Sequence, residues 1–154
     1  MSGINTPYRK LQTFWVGTDS DVPYAAQTEQ AVKALESKYQ IRLPEDFREY
    51  LLYSCPSDEN LDEELTNWWP LERIKNIPDE GPPNLQNETI AAESAKYIFF
   101  ADHMMWAGAW AICCGEGKNY GRVVFFGDPD RFVADSFADF VDGYIANWAG
   151  IAFG

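Results

Sequence analysis

The sequence has few of the residues that catalytic and disulfide-stabilised proteins rely on. Its 154 residues include one histidine and three cysteines, of which Cys113 and Cys114 are adjacent. An odd number of cysteines without regular spacing argues against a disulfide framework and favours a reducing compartment. A single histidine leaves only one candidate base for a Ser-His-Asp or Cys-His site. We therefore expect buried free thiols in a cytoplasmic protein.

Basic residues are also scarce. Lysine and arginine number 12 against 24 aspartates and glutamates, which gives a net charge of −12. Such a surface repels nucleic acid and anionic membranes, and it favours a basic partner or simply solubility. The longest apolar run, Met104 to Cys114, is too short to span a bilayer, and no signal peptide opens the chain. We expect neither nucleic acid nor a membrane as a partner.

Apolar and aromatic residues are plentiful. Hydrophobic residues make up 46% of the chain and aromatic residues 16%, which is typical of a globular protein. The length suits one domain over residues 1–154, without internal repeats. Residues 1–20 are treated as an N-terminal extension, which could form a short edge strand or a loop on the core.

The stretch from Lys96 to Gly127 holds the densest apolar residues. Bulky and small residues alternate between Trp106 and Cys114, which predicts a strand with one bulky and one small face. The Gly-rich segment 115–121 would join it to a second strand, Arg122 to Phe126, in an antiparallel hairpin. A buried helix over Met104 to Cys114 has a similar composition and is the alternative.

Helices are predicted on both sides of this stretch. Asp21-Val22-Pro23 reads as a helix start, with the helix running to about residue 39. A second helix opens at Leu43-Pro44, and a last one is capped by Ser136 and carries an apolar stripe at 3.6-residue spacing. Residues 76–87 are predicted as a loop, 88–95 as two helical turns and 131–135 as a short strand.

Four segments follow one another in a characteristic order and spacing: LPEDFREYLLYS (Leu43 to Ser54), WWPLERI (Trp68 to Ile74), IFFADH (Ile98 to His103) and VADSFADFVDGYI (Val133 to Ile145). Together they resemble the SMI1/KNR4 family, also called the SUKH superfamily, and the resemblance covers roughly residues 25–148. The family commonly has a small Asn-Gly-like turn after the second helix, where this chain reads Ser54-Cys55-Pro56-Ser57.

The resemblance implies an α+β fold, with an antiparallel or mixed sheet flanked by helices. It also implies protein binding without catalysis. Bacterial members look like immunity proteins that neutralise a cognate polymorphic toxin, frequently a nuclease, whereas eukaryotic members are regulators of cell-wall synthesis and signalling. The short chain favours the bacterial type, and a regulatory scaffold module with an endogenous partner is the alternative.

An acidic segment beside two tryptophans is the candidate partner-binding site. The segment SDENLDEE, residues 57–64, carries five carboxylates and no basic residue. The ordinary interpretation of such a charge run is a solvated surface without a specific role. Carboxylates would speed the encounter with a basic protein, and tryptophans often anchor interfaces. The predicted partner-binding residues are Asp58, Glu59, Asp62, Glu63, Glu64, Trp68 and Trp69. A second acidic cluster spans residues 128–142.

Catalytic and metal sites find less support. Asp102 and His103 could serve a small hydrolase, but adjacent strand residues point to opposite faces, so Asp102 is poorly placed to orient His103. Cys55, Cys113 and Cys114 lack a C-x-x-C spacing and are expected to be buried thiols rather than zinc ligands. The Gly-rich turn lacks the Lys-Ser/Thr of a phosphate loop. We predict no catalytic residue, no metal and no cofactor.

Overall fold

The computed structural model describes residues 6–17, 22–59, 61–62, 64–81, 87–104, 107–127 and 130–152, with only the backbone at 16–17 and 148–152. Within these ranges the helices are α1 (Pro7–Gly17), α2 (Glu29–Tyr39), α3 (Glu45–Ser54), α4 (Ile77–Glu80), α5 (Glu88–Ala92) and α6 (Phe137–Ala152). The strands are β1 (Tyr24–Ala25), β2 (Cys55–Pro56), β3 (Thr66–Trp68), β4 (Lys75–Asn76), β5 (Tyr97–His103), β6 (Gly108–Cys113), β7 (Val123–Phe126) and β8 (Arg131–Ala134).

The fold is α+β, as predicted, and its main sheet is antiparallel. The strand order is β3-β5-β6-β7-β8, and β4 pairs with the same edge of β5 as β3 does. Strands β6 and β7 form the predicted hairpin, in which Ala109 lies opposite Phe126 and Ile112 opposite Val123. The alternative helix over residues 104–114 is therefore wrong. Trp106 lies outside the described residues.

Three helices cover one face of this sheet. Helices α1, α3 and α6 contact one another, and their aromatic side chains meet those of the strands. The ring centroids of Phe47 and Phe100 are 5.4 Å apart, and those of Trp110 and Phe140 are 5.7 Å apart. Edge-to-face and tilted ring pairs of this kind add to the stabilisation from buried area. The core is thus an aromatic layer between sheet and helices.

Helix α1 was not predicted. The sequence interpretation placed an edge strand or a loop within residues 1–20, whereas residues 7–17 are helical. Tyr8, Leu11 and Trp15 are 5%, 0% and 3% exposed. They recur at three- and four-residue spacing, which puts them on one helix face. This segment is therefore part of the core.

Helix α2 begins later than predicted. Val22 and Pro23 precede the short strand β1, which pairs with β2, while Asp21 lies outside the described residues. The N-cap is Thr28, whose side-chain oxygen accepts a hydrogen bond from the Ala31 N–H at 3.0 Å. A side-chain cap satisfies a free N–H of the first turn, so it outweighs the proline signal upstream.

The predicted starts of the second and the last helix are confirmed, whereas the loop prediction for residues 76–87 is only partly right. Helix α3 begins at Glu45, and α6 is capped by Ser136, whose hydroxyl accepts a hydrogen bond from the Asp139 N–H at 3.0 Å. Helix α6 kinks at Asn147, and the side chain of Trp148 lies outside the described part. The predicted loop 76–87 instead contains α4, capped by Asn76, and residues 82–86 of it lie outside the described ranges.

Candidate partner-binding site

The acidic segment forms the approach to β3 and folds back on it. The Asp62 N–H donates to the Thr66 carbonyl at 2.9 Å, and the Leu65 N–H donates to the Asp62 carbonyl at 3.0 Å. Leu61 also forms an antiparallel bridge with Asn67. These contacts hold Leu61, Asp62 and Leu65 against the edge of the main sheet. Glu63, one of the predicted residues, lies outside the described residues.

Trp68 and Trp69 are both fully buried. Trp68 lies on the helix-covered face, where its ring is 5.6 Å from that of Trp15 and 5.3 Å from that of Tyr144. Trp69 packs near Phe99, with the Arg73 guanidinium 3.8 Å from its ring centroid. An anchor for a partner's pocket must reach solvent, so the expectation that these tryptophans are surface anchors is wrong.

Asp62 is not a surface carboxylate either. It is 4% exposed and accepts hydrogen bonds from the Trp68 indole N–H at 2.9 Å and from the Tyr144 hydroxyl. The backbone N–H groups of Glu64 and Thr66 donate to its other oxygen at 2.8 and 3.0 Å. These donors compensate the buried charge. Asp62 therefore ties the turn to α6 and to the core.

Asp102 is the hydrogen-bond acceptor for the indole N–H of Trp69, as Asp62 is for that of Trp68. Its side chain accepts hydrogen bonds from the Trp69 indole N–H at 2.6 Å and from the Asn67 amide at 3.2 Å, and it is 4% exposed. A buried tryptophan needs an acceptor for its N–H. That need was a usable signal, because Asp62 and Asp102 are carboxylates that neighbouring strands can bring to Trp68 and Trp69. The sequence interpretation did not use it.

His103 ends β5 and is 2% exposed. Burial lowers its pKa, and the nearby carboxylates of Asp62 and Asp102 oppose that effect. Its ring lies 6.2 Å from that of Trp110, whereas the Asp102 side chain is bonded to Trp69 and Asn67. His103 is thus a buried side chain at a strand end, next to a carboxylate, Asp102, whose hydrogen-bond donors include Trp69 and Asn67.

The three cysteines are buried free thiols, as expected. Burial raises the pKa of Cys55 to about 12 and that of Cys114 well above its ordinary value. Across the described ranges, no three histidine, cysteine or acidic side chains are grouped so that they could hold a metal ion. Among those same residues, no helix combines the length and the apolar character needed to cross a membrane.

What remains at the surface of the site is acidic. Asp58 and Glu59 are exposed and Glu64 is half-buried. The Glu59 carboxylate accepts a hydrogen bond from the Asn67 amide at 3.0 Å and lies 3.6 Å from the Arg73 guanidinium. These carboxylates lie beside a turn that Asp62 connects to the core through hydrogen bonds with Trp68 and Tyr144. The site therefore presents negative charge on a backbone that is anchored to the core.

The architecture defines an α+β domain, and the described part of its edge turn combines buried carboxylate–tryptophan pairs with exposed acidic side chains. The model of the SMI1 / KNR4 family (SUKH-1) matches residues 27–143. The chain therefore belongs to the SMI1/KNR4 family. Comparison with curated proteins finds no match. Helix α1 lies outside the matched range, although its side chains complete the core.

Proposed function

We propose that this protein is an immunity protein, which binds and neutralises a basic toxin of the nuclease type without catalysing a reaction. Family membership supports protein binding of this kind. The observation that carries the proposal is the acidic edge beside β3, where Asp58, Glu59 and Glu64 border a turn fastened to the core through Asp62.

Charge supports the choice of partner. The net charge of −12 attracts a basic surface over long range, and nucleases need basic surfaces to hold their polyanionic substrates. An inhibitor that occupies such a surface gains electrostatic complementarity and excludes nucleic acid. Complementary charge acts mainly on association rate and specificity.

The test is protection and association kinetics against a candidate basic nuclease domain, chosen from toxin genes if the genes neighbouring this one include any. Asp58, Glu59 and Glu64 are changed to Asn, Gln and Gln, leaving buried Asp62 intact. We expect association slower by about tenfold or more at low salt and a flatter dependence on ionic strength. The matched control neutralises Glu88, Glu93 and Glu116, which are exposed in other loops and helices.

The outcomes separate the candidate roles. Protection by the parent, with an association defect confined to the first variant, supports immunity through this face. Equal association of both variants would make the acidic edge solvated surface only, and the cluster Asp135, Asp139 and Asp142 would be tested next. Failure of the parent to bind or protect would rule out this toxin and favour a regulatory module with an endogenous partner.

A further inference from the structure

Three large apolar side chains stand exposed at the end of the sheet where the acidic edge lies. Leu61, Leu65 and Met104 are 46%, 45% and 51% exposed. The Met104 N–H donates to the Leu65 carbonyl at 3.0 Å, and Leu61 bridges Asn67 on the same turn. Their backbones are thus joined by short hydrogen-bonded connections. We call these three residues the apolar tip.

Two members of the apolar tip also have an unfavourable backbone. Leu65 has φ 65° and Met104 φ 49°, in the left-handed region that favours glycine and asparagine. Neither side chain has a polar group that could stabilise this conformation locally. Glycine or asparagine would make the same turns at lower cost and without exposing an apolar side chain. Folding alone therefore does not explain leucine and methionine at these positions.

The backbone beneath the apolar tip is held in place before any partner arrives. Thr66 pairs with His103 in the register of β3 and β5. Asp62 receives hydrogen bonds from Trp68 and Tyr144, and the Ala107 N–H closes the turn onto the Met104 carbonyl at 3.2 Å. A preorganised apolar surface loses little entropy when it binds.

We propose that the apolar tip is the centre of the interface with the basic toxin domain, and that the acidic edge is its rim. This inference rests on the proposed function for the identity of the partner. A partner with a basic surface is the one that charge complementarity favours, because Asp58, Glu59 and Glu64 are close to the apolar tip in sequence and the whole chain has a net charge of −12. The matching surface is an apolar recess framed by lysine and arginine. Buried apolar centres with polar rims are the usual anatomy of protein interfaces.

The test uses Leu65→Asn and Met104→Asn, singly and together, in the full chain. Asparagine tolerates the left-handed backbone, so the unfolding midpoints should equal or exceed that of the parent. Binding to the candidate nuclease domain that the parent recognises should weaken through faster dissociation, by about tenfold or more in the double variant. Association rates should change little. Ile145→Asn, at a residue 37% exposed on α6, is the matched control.

A second measurement does not depend on the stability of these variants. A photo-crosslinking benzoylphenylalanine is placed at position 65, 104 or 145 and irradiated in the complex with the same nuclease domain. Adducts from 65 and 104, but not from 145, support the inference. Parent-like dissociation of the double variant, or adducts from 145 alone, would overturn it while immunity stands. A parent that binds no toxin domain would remove both this inference and the proposed function.

Discussion

At the scale of single residues, the acidic segment contains two kinds of carboxylate. Asp58 is exposed, whereas Asp62 is buried and accepts four hydrogen bonds, from Trp68, Tyr144, Glu64 and Thr66. Burial raises the pKa of Tyr144 well above its ordinary value, and the neighbouring Asp62 adds to that effect. Tyr144 therefore remains a neutral donor at any ordinary pH, which suits a buried carboxylate partner.

Replacing Asp62 by asparagine should consequently destabilise the protein. One oxygen would be replaced by an NH2 group, which in either orientation puts a donor where two donors now bind, and the charge that strengthens all four hydrogen bonds would be lost. We expect a loss of about 1–3 kcal/mol in the free energy of unfolding. Asp58→Asn is the matched control and should stay within about 0.5 kcal/mol. Equal urea midpoints for both variants would show that the buried network contributes little.

The same contrast limits what the charge run implies for stability. Neutralising exposed carboxylates should leave stability almost unchanged, because exposed charges contribute little. That reasoning applies to Asp58 and Glu59 but not to Asp62, which is 4% exposed. A binding experiment that includes Asp62 would therefore confuse loss of fold with loss of contact.

At the scale of elements, the last helix closes the aromatic core. Phe137, Phe140 and Val141 are fully buried, and Tyr144 is 1% exposed. The ring of Phe140 lies 5.4 Å from that of Phe100 and 5.7 Å from that of Trp110. The apolar stripe predicted from the sequence is thus the contact face of α6, and Asp139 and Asp142 are exposed on its other side.

Phe140→Ala and Tyr144→Ala should each cost about 3–5 kcal/mol, because a large side chain is removed from a closely packed core. Ile145→Ala, at the 37% exposed neighbour, should stay within about 0.5 kcal/mol and serves as the control. Denaturant midpoints like that of the parent for the first two variants would mean that the stripe is not tightly packed.

Helix α1 gives the second prediction about an element. Leu11 is fully buried, and Trp15 packs against Trp68 at 5.6 Å between ring centroids. Leu11→Ala should therefore cost about 2–5 kcal/mol, as core truncations do. Thr13→Ala, at an exposed position of the same helix, is the control. If the two variants unfold at the same denaturant concentration, α1 is only loosely attached.

Helices and strands could be predicted where a regular spacing of apolar residues continues over several turns or residues and where capping or turn residues mark its ends. Helix α6 has both a capping serine and a complete apolar stripe, and the β6–β7 hairpin has two apolar runs around a Gly-rich turn. Helix α1 could have been predicted, because Thr6-Pro7 is a helix-start signal and Tyr8, Leu11 and Trp15 recur at three- and four-residue spacing. It was missed because this spacing was not tested in a short segment with many polar residues. The buried state of Trp68 and Trp69 was missed because the need of their indole N–H groups for acceptors was not considered. The sequence shows that carboxylates are available, but only the folded sheet shows that Asp62 and Asp102 are the acceptors.

At the scale of the whole molecule, the excess of acidic over basic residues is compatible with a closely packed core, because most of the charged side chains lie at the surface. Ion pairs offset part of it, such as Lys10 with Asp142 at 2.6 Å and Arg73 with Glu80 at 2.7 Å. The remaining negative charge is available for long-range attraction of a basic partner. Charge at the surface and aromatic packing inside are therefore separable in experiments.

The pH dependence of stability offers a measurement on the whole chain, because His103 is its only histidine. Burial lowers the pKa of His103 in the folded state below the value of about 6.5 expected in the unfolded chain. Between these two pKa values the unfolded chain binds a proton that the folded chain does not. The free energy of unfolding should therefore fall as pH drops below about 6.5, until the folded histidine also becomes protonated.

His103→Gln removes this contribution and is compared with the parent by urea unfolding between about pH 7.5 and 5. The parent should lose more stability than the variant over this interval, even if the variant is less stable at neutral pH. Burial also raises the pKa of Asp46, which acts on stability in the opposite direction. Because both proteins contain Asp46, its effect cancels in the comparison. Parallel pH profiles would show that His103 titrates alike in the folded and unfolded states, which its burial beside Trp110 argues against.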